Sequence, residues 1–125
     1  MIDLRRDPAA PGPVITGFSG TAFRVQDKLF ANGLMLTTEE ALDWTAPEIG
    51  SLAVGDLRPL LEVQPPPEFL LLGTGASLTH PPRALVKALE AIGIGVEAMD
   101  SRAAARAWGV LRGEGRWIVA ALLPL

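Results

Sequence analysis

The residues PEFLLLGTGASLTHPPRALVKALEAIGIGVEAMDSRAAARAWGVLRGEGRWIVAALLPL, Pro67 to Leu125, decide the fold class. Phe69 to Leu72 is an unbroken apolar run closed by Gly73, Thr74, Gly75, Ala76 and Ser77. A strand that is apolar on both faces has to be covered on both, as in a sheet flanked by helices. Pro81 and Pro82 then lead into a helix that Thr79 or His80 can cap. Leu85, Val86, Leu89 and Ile92 fall on one stripe of it, and Gly93 ends it. Ile94 to Ala98 reads as a second, short strand. Asp100 or Ser101 caps the next helix, whose stripe is Ala104, Ala107, Trp108 and Leu111 and whose C-cap is Gly113. Gly109 inside it costs about 1 kcal/mol against alanine, and close backbone packing is the expected reason for it. Trp117 to Leu123 forms the last strand, again apolar on both faces and so expected to be central. The unit is strand, helix, strand, helix, strand.

Upstream of this unit, Pro65, Pro66 and Pro67 form a stiff spacer. Val54 to Glu62 reads as a short helix with Asp56 as its N-cap and Pro59 in the first turn, where a missing amide proton costs little. From Val14 to Leu36, the apolar runs VITGF, AFRV and KLFANGLMLT are separated by turn-forming residues, the pattern of a β meander of two or three strands. After Leu36, either Thr38 caps a single helical turn carrying Glu39 and Glu40, or the strand continues. Residues 1–13 read as an irregular arm and residues 14–125 as a single α/β domain.

The chain has 125 residues, of which 49% are hydrophobic and 20% charged, so it can build one real core and is far from a disordered composition. Its net charge of −3 gives no electrostatic reason to bind nucleic acid or an anionic membrane. With no cysteine, disulfides, thiolate metal sites and cysteine nucleophiles are excluded. The start MIDLRRDPAAPGP lacks the apolar segment of a secretory signal, and Trp117–Leu123 is much shorter than the roughly 20 residues of a membrane span. The expected compartment is the cytoplasm. The abundance of Ala, Gly and Pro fits a bacterial source with a GC-rich genome.

Chemistry-bearing motifs are few. Gly73-Thr74-Gly75, between an apolar strand and a helix start, has the form of a loop whose amides face an anion, and Glu97 and Asp100 stand near the end of the next strand. The dinucleotide pattern then fails, because Leu78 occupies the third glycine position and two prolines delay the helix. A tight strand-exit turn explains the glycines better than a nucleotide cradle does. His80 is the single histidine and reads as a helix-entry or surface residue. No metal site and no cofactor are expected. Around the second helix, Asp100 and Ser101 stand at its entry and Glu114 and Arg116 just past its end. The plain reading is capping plus a Glu114–Arg116 ion pair, and the functional one is an anion held by Arg116. Opposite ends of that helix lie about 16 Å apart, so the four residues cannot share one small site.

Several segments look familiar together: FLLLGTG, Ala91-Ile92-Gly93-Ile94, and VEAMDSRAAARAWGVLRGEGRWIVAALLPL. With Gly17-Phe18, Phe23-Arg24-Val25, Gly33 and Trp44 upstream, the chain resembles the family of mitochondrial complex I assembly factor 3 and its uncharacterised bacterial and archaeal relatives. The resemblance runs from about residue 14 to the end and is most specific from Met99 to Leu122. Asp100-Ser101 stand where the family tends to have aspartate-threonine, and Glu114-Gly115-Arg116 match its EGR turn. Trp108-Gly109 replace the family's usual aromatic-asparagine pair, so a role resting on that asparagine would be absent or altered here. The resemblance implies a three-layer α/β fold around a mixed sheet, with the last strand antiparallel to its neighbours. It also implies a non-enzymatic protein-interaction or assembly factor with a membrane or respiratory subunit as partner, and it transfers no catalytic residue. The alternative is a small-molecule or anion-binding protein, or an enzyme, working through Gly73, Thr74 and Gly75 with Asp100 and Ser101 nearby.

Overall fold

The computed structural model describes residues 12–125; of the irregular arm expected over residues 1–13, residues 1–11 lie outside the described part. Five strands form the central sheet: β4 (Leu34–Leu36), β5 (Ala41–Asp43), β6 (Phe69–Gly73), β7 (Gly95–Met99) and β8 (Val119–Leu122), in the order β5-β4-β8-β6-β7. A separate antiparallel sheet is made by β1 (Ile15–Ser19), β2 (Ala22–Val25) and β3 (Lys28–Phe30). The helices are α1 (Arg58–Leu61), α2 (Arg83–Ala91) and α3 (Ser101–Gly113).

The strand-helix-strand-helix-strand unit of the C-terminal half is present. β6 pairs in parallel with β7 on one side and with β8 on the other, each return being made through a helix, as parallel pairing requires. β8 is the middle strand. It runs antiparallel to β4 but parallel to β6, which corrects the expectation that it opposes both neighbours. The cause lies in the connection: α3 carries the chain back to the starting end of the sheet, so β8 must run with β6 and β7.

Alternation along the strands divides the core into two layers. Met35, Leu70, Leu72, Val119 and Ala121 face a cluster with Leu57, Leu60, Leu85, Leu89 and Ile94, which belong to α1, α2 and their connections. Leu34, Leu36, Leu71, Ala120 and Leu122 face the other way, against Ala104 and Trp108 of α3 and Phe23, Val25 and Phe30 of the small sheet. The sheet is therefore sandwiched between α1 and α2 on one side and α3 with β1–β3 on the other, the three-layer mixed α/β arrangement.

Several local readings change. The run KLFANGLMLT is two strands in different sheets, broken at Gly33, whose φ is +138° and where a Cβ would lie 2.7 Å from the Trp44 carbonyl oxygen. Thr38 caps no helix. Thr37 closes a turn between β4 and β5, its Oγ1 accepting from the amides of Glu39 (3.2 Å) and Glu40 (3.1 Å). The segment Val54–Leu57 is a 3₁₀ turn ahead of α1, and the Asp56 carboxylate reaches back to the Ala53 amide at 2.9 Å. Neither Thr79 nor His80 caps α2, which begins after Pro82 with no side-chain cap. Ile92 falls beyond the last turn of α2 and is 59% exposed. A Cβ on Gly109 would meet nothing within 4 Å, so close packing is not the reason for that glycine.

Candidate functional site

The C-terminal ends of β6, β7 and β8 meet at one place, where open α/β sheets commonly hold ligands. Gly73, Thr74, Gly75, Asp100 and Ser101 all lie there. Gly73 pairs with Met99 on one side and Leu122 on the other, and it is close-packed: a Cβ on it would stand 2.7 Å from Ser101 Oγ and 2.7 Å from Leu122 Cδ2. Only glycine lets α3 begin this close to the strand.

Ser101 is fully buried at the first residue of α3. Its hydroxyl donates to the Leu123 carbonyl at 2.7 Å and accepts from the Gly75 amide at 2.8 Å, while its own amide donates to the Gly75 carbonyl at 2.8 Å. The Leu123 amide returns to the Gly73 carbonyl at 3.0 Å. Thr74 completes the set: its amide donates to Met99 O at 2.9 Å, and its hydroxyl donates to Ser77 O at 2.8 Å and accepts from the Thr79 amide at 3.0 Å. Asp100 is the N-cap, its Oδ1 accepting from the Ala103 amide at 2.9 Å. These hydrogen bonds join three strand ends and a helix start. A ligand engaging the Gly75 amide would have to displace the Ser101 hydroxyl.

Glu114 and Arg116 lie at the far end of α3, as its length requires. The expected Glu114–Arg116 ion pair is replaced by another. Arg116 Nη2 and Nε donate to Glu68 Oε1 at 2.8 and 3.0 Å, and Glu68 Oε2 accepts from the Trp117 amide at 3.2 Å. The guanidinium also stands over the Phe69 ring, 5.6 Å from its centroid. Hydrogen bonding from Arg116, then from the Trp117 amide, holds the Glu68 carboxyl below its ordinary pKa; Glu68 in turn raises that of Arg116, with Glu114 adding only a weaker attraction. Glu68 was not singled out in the sequence because it stands 48 residues from Arg116, with no local spacing to reveal the pair. His80 is exposed, beside Pro81 and Arg83 at the start of α2. Among the described residues, no three His, Asp or Glu side chains are grouped to hold a metal ion, and no helix is long and apolar enough to cross a membrane.

A mixed five-stranded sheet with a helix layer on one face and a helix plus a small antiparallel sheet on the other defines the class, a Mth938-like α/β domain. The solution structure of a Bordetella pertussis protein described as a Mth938-like domain superposes with a TM-score of 0.79 at 30% identity, covering 98% of this chain and 92% of that one. The chain belongs to the family described as protein of unknown function DUF498/DUF598, whose model matches residues 15–123. It is 36% identical over 121 residues to an uncharacterised protein of Rhodobacter capsulatus, covering 96% of this chain and 92% of that protein. It is 26% identical over 123 residues to NADH dehydrogenase [ubiquinone] 1 alpha subcomplex assembly factor 3 of zebrafish, Danio rerio, covering 98% of this chain and 71% of that protein.

Proposed function

We propose that this protein is a non-enzymatic interaction factor that helps assemble a multisubunit respiratory complex, working on the cytoplasmic side through contact with a membrane or respiratory subunit. The observation that carries this reading is the engagement of the polar groups at the strand ends with one another. The Ser101 hydroxyl, the Gly75 and Thr74 amides and the Thr74 hydroxyl are all spent on the protein's own backbone and side chains. With the polar groups of the strand ends engaged internally, recognition in this reading falls to other parts of the domain's surface. The assembly role is supported by the similarity to the zebrafish assembly factor, which extends along 98% of this chain.

The experiment is deletion of the gene followed by native-gel resolution of the respiratory NADH dehydrogenase. The expected result is accumulation of subassemblies and loss of the mature complex, restored by the wild-type gene. Unchanged levels of every intermediate and of the mature complex contradict the assembly role.

One observation favours a second reading. Gly73, Thr74 and Gly75 stand at the joint C-terminal end of three strands, with Asp100 and Ser101 beside them, the place from which an α/β protein holds a small anion or runs chemistry.

A further inference from the structure

A cleft of about 500 Å³ opens between the β4–β5 turn and the chain that leaves α1. Glu39 and Glu40 on the turn and Glu62 after α1 line it, and all three are exposed without an ion-pair partner among the described residues. Trp117 forms another part of the wall. Its ring is half-buried and held in place by the 2.6 Å hydrogen bond from its indole N–H to the Pro65 carbonyl. Thr38, also in the lining, is only 5% exposed, and its hydroxyl makes no hydrogen bond among the described residues, although Thr37 beside it makes three. A buried hydroxyl left without a partner costs free energy that an incoming donor or acceptor recovers.

We propose that this cleft receives a basic side chain, arginine or lysine, from a protein partner. The carboxylates are too dispersed for metal coordination, since no three acidic or histidine side chains among the described residues are grouped to hold an ion. A dispersed acidic rim suits a cation carried on a long side chain, which reaches the carboxylates without needing them grouped. The ring of Trp117 offers a face for a cation. Leu42 and Val63, also in the lining, offer apolar surface for the methylene stem that both basic side chains carry. An unpaired acidic rim, an aromatic wall, apolar flanks and an unsatisfied buried hydroxyl match one amphipathic, cationic group. The inference rests on the protein-interaction reading and adds the chemistry of the partner's contact.

The test is a titration of the ¹⁵N-labelled full chain with a capped hexapeptide carrying two arginines, the same peptide carrying citrulline instead, and spermidine. The arginine peptide should produce saturable shifts at the amides of residues 37–42 and 62–64 and at the Trp117 indole, and the citrulline peptide none there. The triple variant Glu39→Gln, Glu40→Gln, Glu62→Gln, which changes only exposed side chains, should keep a native spectrum and bind the arginine peptide about tenfold more weakly. Absence of shifts at these sites, equal binding of the citrulline peptide, unchanged binding by the triple variant, or tighter binding of spermidine than of the peptide would each overturn the proposal. If a captured partner holds the triple variant as tightly as the wild type, this inference fails while the interaction reading stands.

Discussion

Ser101 and Leu123 are joined by a 2.7 Å hydrogen bond from the serine hydroxyl to the leucine carbonyl, which fastens the start of α3 to the end of the central strand. Because that hydroxyl also accepts from the Gly75 amide at 2.8 Å, one buried side chain ties together three segments that are distant in sequence. Ser101→Ala leaves a buried acceptor and a buried donor without partners, and each such group costs about 1–3 kcal/mol. Equilibrium urea unfolding should show a stability loss of about 2 kcal/mol or more with an unchanged slope. Asp100→Ala, which removes only a cap, should cost about 1 kcal/mol. An Asp100 effect larger than the Ser101 effect would contradict this assignment.

Two glycines should respond oppositely to alanine. At Gly73 a Cβ would stand 2.7 Å from Ser101 Oγ and 3.0 Å from Ser101 Cα, and overpacking of this kind costs about 1–3 kcal/mol. At Gly109, exposed in the middle of α3 with nothing within 4 Å of the added atom, the gain in helix propensity should stabilise by about 1 kcal/mol. Thermal melts of the two variants check both signs.

The stability contributed by Glu68 and Arg116 should depend on pH. The folded-state pKa of Glu68 lies below its ordinary value of 4.5, so the contribution is fully present above the unfolded-state value and is lost as pH falls through the lowered folded-state value. The difference in stability between wild type and Glu68→Gln should be constant near neutrality and shrink in acid. It should also shrink with added salt, because both side chains are more than 40% exposed, at 41% and 46%. A difference that grows on acidification would contradict the pairing.

Much of the fold was legible because its signals are local. The runs Phe69–Leu72 and Trp117–Leu123 are apolar on both faces because α1 and α2 cover one side of the sheet and α3 with the small sheet covers the other. The stripe of Leu85 and Leu89 and the cap at Asp100 are equally local. What escaped reading depends on tertiary contact. Ser101 looked like an alternative cap, and its burial against Leu123 and Gly75 follows only from the sheet order. Glu68 meets Arg116 through the adjacency of the start of β6 and the approach to β8. The break at Gly33 was hidden because both flanking runs are apolar, and only the transfer of the chain between sheets distinguishes them. The placement of Gly73, Thr74, Gly75, Asp100 and Ser101 near strand ends was legible from the local pattern; the bonds that tie their polar groups to one another were not.

The strand-end loop also makes a prediction about ligands. Since the Gly75 amide and the Thr74 hydroxyl already have partners, a thermal-shift screen of nucleotides and metabolite anions should give no stabilisation. A ligand at 100 times its dissociation constant would add about 2.7 kcal/mol, a readily measured rise in melting temperature. Such a rise, larger in a folded Ser101→Ala variant whose Gly75 amide no longer has the serine hydroxyl as partner, would favour the second reading.

Affinity capture of the tagged full-length protein from native cells, with subunit stoichiometry read by quantitative mass spectrometry, tests the central claim most directly. The account predicts a reproducible, near-stoichiometric membrane or respiratory subunit that is absent from an untagged control. Repeated capture of the protein alone, under conditions that preserve respiratory complexes, would contradict it.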